Sequence, residues 1–314
     1  MLTRRHIRVK VLQSLYAFYQ TDEQDLDKQE KFLNYSIAQM QDLYALLVNL
    51  LVATRDHADN YMVKSQQKHL ATDSEKNPSR AFVDNKVIEL ISNDETLSEY
   101  IANKKLDYWK TDDEYIAIIF NSLKEKDWYN EYLQKKTTSY KEDQDMVLRF
   151  YKEVVAPDDK LYEYLEDKRL TWIDDYPLVN TAIMKMLSKV SEKNKKVVFS
   201  GDLFKNEEDQ EYSVQLLRKV ILNDDKLSGV IDGKTPNWDK ERIAELDMII
   251  LKMGIAEFLH FPSIPVKVTI NEFLEISKEY STPKSSLFIN GILDKLVKEF
   301  SNDNKLLKIG RGLQ

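Results

Sequence analysis

Cysteine is absent from the 314 residues, which removes disulfides, thiolate nucleophiles and Cys-type zinc sites together. Glycine is absent from most of the chain: all seven lie at or after Gly201, and only Pro78, Pro157 and Pro177 of the seven prolines precede it. Sheets and hairpins draw on turn glycines, so a glycine-free stretch of this length argues for helices joined by polar loops. No apolar run of about 18 residues occurs, so no membrane span is expected. The N-terminus lacks the uninterrupted apolar core and small-residue cleavage site of a signal peptide. A cytoplasmic protein, long enough for one large domain or two ordinary ones, is the simplest reading.

What charge there is lies unevenly. The chain holds 46 Lys+Arg against 53 Asp+Glu, yet Arg4, Arg5, Arg8 and Lys10 precede the first acidic residue, Asp22. The remainder carries 42 basic against 53 acidic groups, a net of −11. Such a body repels nucleic acid at long range, so a nucleic-acid site must be a local patch. The N-terminal stretch is the candidate.

Apolar spacing makes the fold class all-α. Leu43, Leu46, Leu47, Leu50 and Leu51 recur at helical intervals, as do Ile116, Ile119, Phe120 and Leu123, and Leu178, Ile183, Met186, Leu187 and Val190. The polar run at 64–80 reads as a loop between two long helices. The lysine-rich segment 191–209 reads as the passage into a C-terminal third that contains every glycine. There, Thr282 is an expected N-cap with Pro283 at the first helical position. Phe261-Pro-Ser-Ile-Pro265 reads as a rigid, extended connector. Gly291, inside an expected helix, predicts close approach of another helix, because a mid-helix glycine costs about 1 kcal/mol relative to alanine.

Catalytic signatures are missing. There is no phosphate loop, dinucleotide fingerprint or nucleophile elbow. The four histidines (His6, His57, His69 and His260) show no metal-ligand spacing. Acidic clusters such as Thr111-Asp-Asp-Glu-Tyr115 lack the spacing and glycine of a calcium loop. No enzyme, cofactor or metal is expected.

The N-terminus can bind. Arg4 and Arg8 share one helix face with Arg5 adjacent, while Val11, Leu12, Leu15 and Phe18/Tyr19 form the buried stripe of the same helix. Arginine forks match phosphate oxygens and stack on bases. Tyr16 offers a stacking surface of the kind that grips single-stranded RNA. The competing reading is a basic helix terminus paired with the acidic body, with Tyr16 in a core.

The stretch "RRHIRVKVLQSLYAFYQ" resembles the opening of the NusB transcription antitermination factors. The segment from Asn237 to Phe300 follows that family's signatures in order: Trp238, Arg242-Ile243, Asp247, Ile250-Leu251, Glu257-Phe258, Ile264-Pro265, Asn271-Glu272 and "FINGILD" (288–294). "EYSVQLLRKVI" (211–221) resembles the helix before it. The likeness covers roughly 1–20 and 205–300. It implies two helical subdomains and binding to single-stranded boxA-like RNA of ribosomal RNA leader transcripts. The implied partners are the ribosomal protein NusE and an RNA polymerase antitermination complex. Carried onto this sequence, the implied RNA-binding residues are Arg4, Arg5, Arg8, Tyr16 and Phe288. Lys284, where the family often has an acidic residue nearby, adds positive charge beside that motif.

The chain departs from the pattern in carrying His6-Ile7 between its arginines, which puts RNA sequence preference in doubt, and in length. The expected organisation is a first helix at 1–20 and an inserted helical region of unassigned role at 21–200. The rest of the NusB-like domain follows at 201–300, and a basic, flexible tail at 301–314. Aromatics of the inserted region, among them Tyr108, Trp109, Trp128, Tyr129, Tyr132, Tyr151, Tyr162, Tyr164 and Trp172, read as core. Two alternatives stand beside the RNA-binding reading. One is a purely protein-binding helical scaffold docking an acidic partner. The other is an enzyme, since the same helical domain is fused to RNA methyltransferases in some proteins, but no Gly-rich cofactor segment supports it here.

Overall fold

The computed structural model describes residues 3–21, 25–69, 72–192, 199, 204, 206–232, 234 and 244–313, and among these no residue forms a β-strand. Helix α1 (Arg4–Gln20) starts at Thr3, whose hydroxyl accepts from the His6 amide. Helix α2 (Leu26–Gln66) carries the leucine stripe, and all five leucines from Leu43 to Leu51 are buried. An 18-residue window of α2 is apolar enough to cross a membrane, but 72% of it is buried inside the fold, as expected of a core helix. The segment 64–80 is not wholly loop: it holds the single turn α3 (Asp73–Lys76), and the next helix, α4 (Lys86–Ser92), is short.

Further along come α5 (Glu95–Lys104), α6 (Tyr108–Thr111), α7 (Asp113–Lys124), α8 (Asp127–Leu133) and α9 (Tyr140–Phe150). A π-helical turn (Tyr151–Val155) continues α9, and α10 (Asp159–Lys168) and α11 (Thr171–Lys189) follow. The C-terminal third forms α12 (Glu207–Ile221), α13 (Asp224–Asp232), α14 (Glu245–His260), α15 (Val266–Tyr280) and α16 (Ser285–Asn302). The chain divides into two compact units, Met1–Ile37 with Phe204–Gln314, and Ala38–Leu203.

In the unit Ala38–Leu203 most of the aromatics expected in the core face inward. Trp109 and Trp172 donate their indole N–H groups to the Leu46 and Gln39 carbonyls, at 2.9 and 2.8 Å. Tyr129, Tyr132, Tyr151 and Tyr164 are buried, whereas Tyr108 and Trp128 are half-buried and Tyr162 is exposed. Asn85 caps α4 with its side-chain oxygen and spends its amide on Tyr132 and on the Asp143 carbonyl; Tyr132 donates to the Asp143 carboxylate at 2.7 Å. That fully bonded polar knot fixes α4, α8 and α9 together.

The other unit is built around α14. Ile249, Ile250, Leu251, Met253, Ile255, Ala256 and Phe258 are buried on all its sides, the pattern of a central helix. Helices α12, α13, α15 and α16 pack against it, and α1 lies on α12, α14 and α15. The basic tail lies along the turn after α14. Ile309 donates its amide to the Pro262 carbonyl at 3.1 Å, and Lys308 donates to the Phe261 carbonyl at 3.0 Å. A Cβ on Gly312 would fall 2.0 Å from the Pro262 oxygen.

Three local expectations are corrected. The 261–265 connector is a turn rather than extended, with the Ile264 amide donating to the Phe261 carbonyl at 3.2 Å. Pro262 occupies the second position, where its fixed φ suits a reverse turn. Helix α16 begins at Ser285 instead of Pro283. The hydroxyls of Ser281 and Ser285 are drawn to Asp247 at 2.6 and 2.7 Å, and the Thr282 hydroxyl turns to Ser285 rather than capping the helix. Gly291 is exposed, and a Cβ there would meet nothing within 4 Å; the close approach is at Gly254, where a Cβ would lie 3.2 Å from Leu293. Trp238, Arg242, Ile243, Gly201 and the lysines at 193–196 lie outside the described residues.

These two glycines make a paired test by urea unfolding. Gly291→Ala is expected to stabilise the protein by up to about 1 kcal/mol, the helix-propensity gain alone. Gly254→Ala is expected to gain less or to lose, because Leu293 must give way; equal gains would contradict the packing described.

Candidate functional site

The first two turns of α1 place three guanidinium groups at the positive end of a helix dipole with no acidic residue in the first turn, an unfavourable arrangement by itself. Carboxylates from elsewhere in the unit offset it. Arg4 donates from Nε to Asp209 and from Nη2 to Glu208, both at 2.7 Å. Those two acids occupy the first turn of α12, where the dipole favours negative charge. Arg5 forms a fork with Glu272 of α15, both bonds at 2.9 Å. Arg8 forms a second fork with Glu257 of α14, both bonds at 2.8 Å.

The Arg8–Glu257 pair is the inner one, with side chains 2% and 0% exposed. Tyr212 donates a hydroxyl to the same carboxylate, and Thr269 donates another at 2.6 Å. With two bonds from Arg8, every acceptor position of the carboxylate is taken. Arg8 also lies over the Tyr212 and Phe273 rings, at 5.5 and 5.7 Å. Burial opposes its charge, but Tyr212, Glu257 and Glu272 outweigh that, and its pKa stands above the ordinary value. Arg5 holds the Glu272 carboxyl below its ordinary range by hydrogen bonding, against a smaller opposing effect of burial. Burial, with Arg5 adding repulsion, lowers His6 to about 4, so its ring is neutral near pH 7. Neutral Nδ1 accepts from the Thr3 amide at 3.1 Å, which completes the cap.

An open groove runs between this face of α1 (Thr3, Arg4, Arg5, His6 and Arg8) and the stretch Ser263, Ile264, Pro265, Val268 and Glu272. The Arg4 and Arg5 side chains keep 27% and 43% of their surface exposed. Tyr16 is exposed, Phe288 half-buried and Lys284 exposed.

These residues do not form one cluster. Besides the Arg8–Glu257 fork, Gln20 donates to Glu245 at 2.6 Å. The two contacts are twelve residues apart on each helix, which makes α1 antiparallel to α14 and separates its ends by about 18 Å. The arginines gather at the C-terminal end of α14. Lys284 and Phe288 belong with Asp247 and Ser285 at its N-terminal end, and Tyr16 stands on α1 toward that end. The sequence reading assigned no role to Glu257, Glu272, Asp209 or Tyr212. Glu257 had a signal: a lone carboxylate inside the apolar run 248–258 must be paired.

The structure defines an all-helical module whose first helix is fastened by arginine forks to the helices that follow. Residues 178–298 match the sequence model of the NusB family. The match starts within α11 and does not include α1. The chain is 35% identical over 104 residues to the transcription antitermination protein NusB of Salinibacter ruber, covering 33% of this chain and 65% of that protein. It is 36% identical over 122 residues to the NusB of Chloroherpeton thalassium, covering 39% and 58%. For the NusB of Clostridium kluyveri the figures are 43% over 91 residues, covering 29% and 58%. The chain thus spans less than two thirds of the length of each of these relatives. No solved structure matches it.

Two outcomes follow from the pairing. Glu257→Ala is expected to cost about 3–5 kcal/mol in urea unfolding, because Arg8 is left buried and uncompensated. The double variant Arg8→Met/Glu257→Leu should lose less than that single one; an equal or larger loss would place the energy in packing instead.

Acid should loosen the α1 terminus. His6 titrates near 6.5 unfolded and about 4 folded, so the unfolded chain binds the extra proton and stability falls as pH drops through that window. Glu272 has a folded pKa below its ordinary 4.5, so its contribution is present above that value and is lost as pH falls through the folded one. His6→Gln, which can keep the cap, is expected to flatten the decline between pH 6.5 and 4. Melting curves across that range decide it.

Proposed function

We propose that the chain is an RNA-binding transcription antitermination factor. In this reading it engages single-stranded boxA-like RNA together with the ribosomal protein NusE, within an RNA polymerase complex in the cytoplasm. One observation carries the reading. Every carboxylate gripped by Arg5 and Arg8 belongs to residues 178–298, the segment that matches the NusB family, and so do Glu208 and Asp209, the partners of Arg4. Helix α1 therefore folds as part of that domain although the family match does not reach it.

Arg4 and Arg5 are the groups for phosphate. Each spends Nε and Nη2 on carboxylates, which leaves Nη1 directed elsewhere, since a guanidinium carries donors on three sides. The carboxylates thus hold two cationic forks in place before RNA arrives and lower the ordering cost of binding. Arg8, buried beneath them, supports the two by fixing α1. Tyr16 supplies a stacking face, with Lys284 and Phe288 as contacts at the far end. The neighbouring acids also weaken non-specific attraction, so discrimination falls to contacts made by bases.

The test is a titration of single-stranded RNA with and without NusE across a salt series. Arg4→Ala/Arg5→Ala is expected to weaken binding and to lower the salt slope by about 0.7 for each phosphate left without its cation. Unchanged affinity and slope would remove both arginines from the interface. Normal NusE binding without RNA affinity at any salt would leave the protein-binding scaffold instead.

A further inference from the structure

The stretch that follows α16 lies beyond the family match, which ends at residue 298, yet it is fastened to the turn that closes α14. Helix α16 ends on Asn304, whose φ of 54° is left-handed, and the Lys305 amide donates to the Phe300 carbonyl at 2.8 Å, as a helix cap of this kind requires. The chain then reaches Pro262, whose carbonyl accepts from the Ile309 amide, and closes in a 3₁₀ turn (Gly310–Leu313). Gly312 is buried in that turn, and only a residue without a side chain fits: a Cβ would fall 2.0 Å from the Pro262 oxygen and 3.1 Å from its carbonyl carbon. Lys308 is half-buried between these fixed points. Its ammonium donates to the Phe261 carbonyl at 3.0 Å and, more weakly, to the Glu257 carbonyl at 3.4 Å. The end of a helix is where a cation is favoured.

What Lys308 holds is joined to the arginines. Glu257 carries the carboxylate in which Arg8 is seated. The Phe261 ring stands edge-on to Tyr212, with centroids 5.1 Å apart. Tyr212 donates to that same carboxylate and lies beneath the guanidinium groups of Arg4 and Arg8, at 5.2 and 5.5 Å. From Phe261 the chain turns directly into Ser263, Ile264 and Pro265, which line the groove together with Arg4 and Arg5. Both sides of the groove thus depend on how Phe261 is held.

We propose that Lys308 is a positioning residue for RNA binding: by clamping the Phe261 turn it keeps the Arg4 and Arg5 face and the facing wall of the groove in register. The proposal rests on the RNA-binding reading and gives a role within it to a stretch outside the family match. Neither Lys308 nor Gly312 lines the groove, so the effect passes through Phe261 and Tyr212 and not through contact with the ligand. A site held ready in advance loses less freedom on binding, whereas a loosened turn has to be ordered by the RNA itself. Lysine suits the task because one ammonium carries three donors and can serve two carbonyls at once.

The experiment titrates the full chain with a single-stranded boxA-like RNA across a salt series, well below the melting temperature. Hydrogen exchange at Arg8 Nε is followed beside it as a readout that needs no RNA. Lys308→Met is expected to weaken binding about tenfold and to speed exchange at Arg8 Nε. The salt slope should stay unchanged, because no phosphate loses its cation. Lys308→Arg keeps a charged donor and should restore most of the affinity. Gly312→Ala leaves every charge in place and should reproduce the loss by lifting the stretch off Pro262, so the test holds even if Lys308→Met does not fold. A salt slope lower by about 0.7 in Lys308→Met would make Lys308 a phosphate contact and overturn the positioning role. If melting falls while affinity and exchange keep their wild-type values, the proposal is wrong and the RNA-binding reading stands. Failure of wild type to bind RNA at any salt would overturn both.

Discussion

One buried carboxylate sets the geometry of the NusB-like unit. Glu257 sits on the central helix with four donors aimed at it, two from Arg8 on α1, one from Tyr212 on α12 and one from Thr269 on α15. Removing an ion pair from water is costly, and the attraction recovers that cost only when the fork is well formed and the remaining lone pairs are satisfied. The stabilisation such a pair brings over a well-packed apolar contact is therefore small. Its consequence is positional, because the arrangement is tolerable only if four helices meet in one register. The antiparallel seating of α1 on α14, fixed at one end by this fork and at the other by Gln20 and Glu245, follows from it.

Lys252 is handled on the same terms. It too is buried on α14, and it reaches Asp224 at the start of α13 at 2.6 Å, beneath the Tyr19 ring, whose hydroxyl binds the same carboxylate. Glu257 and Lys252 are thus each tied to α1 and to a neighbouring helix, while Asp247, the third buried charge of the central helix, takes the Ser281 and Ser285 hydroxyls. The basic opening of the chain is in this sense a structural necessity before it is a binding device. The acidic excess in the rest of the sequence is partly what holds the arginines, and only the outer two keep surface for anything else.

Much of this was legible in the sequence. Leu43 through Leu51 and Ile116 through Leu123 marked helices because helical spacing is a local property, and the side chains of both stripes are buried. What escaped were facts of partnership. Arg8 and Glu257 stand 249 positions apart, and Arg5 and Glu272 stand 267 apart; periodicity tells which face a residue occupies, never what lies opposite. The glycines show the same limit. Gly254 and Gly291 both sit mid-helix and look alike in sequence, but one lies against Leu293 and the other faces open space. Thr282 read as a cap by residue type, and a carboxylate from another helix diverted the serines beside it.

The distribution of the candidate residues along α14 constrains how an RNA could lie on this surface. The arginines occupy one end, Lys284 and Phe288 the other, about 18 Å away, so no single nucleotide can touch both groups. A ligand contacting them must be extended. Stacking is the interaction that tolerates such spacing, since it asks of each nucleotide only a base and a ring. Tyr16 is the exposed ring on α1. In the unit Ala38–Leu203, by contrast, Trp109 and Trp172 spend their indole N–H groups on α2 carbonyls inside the core. An extended path along α1, with fixed cations at one end and the Tyr16 ring toward the other, is the form of interface that this placement favours.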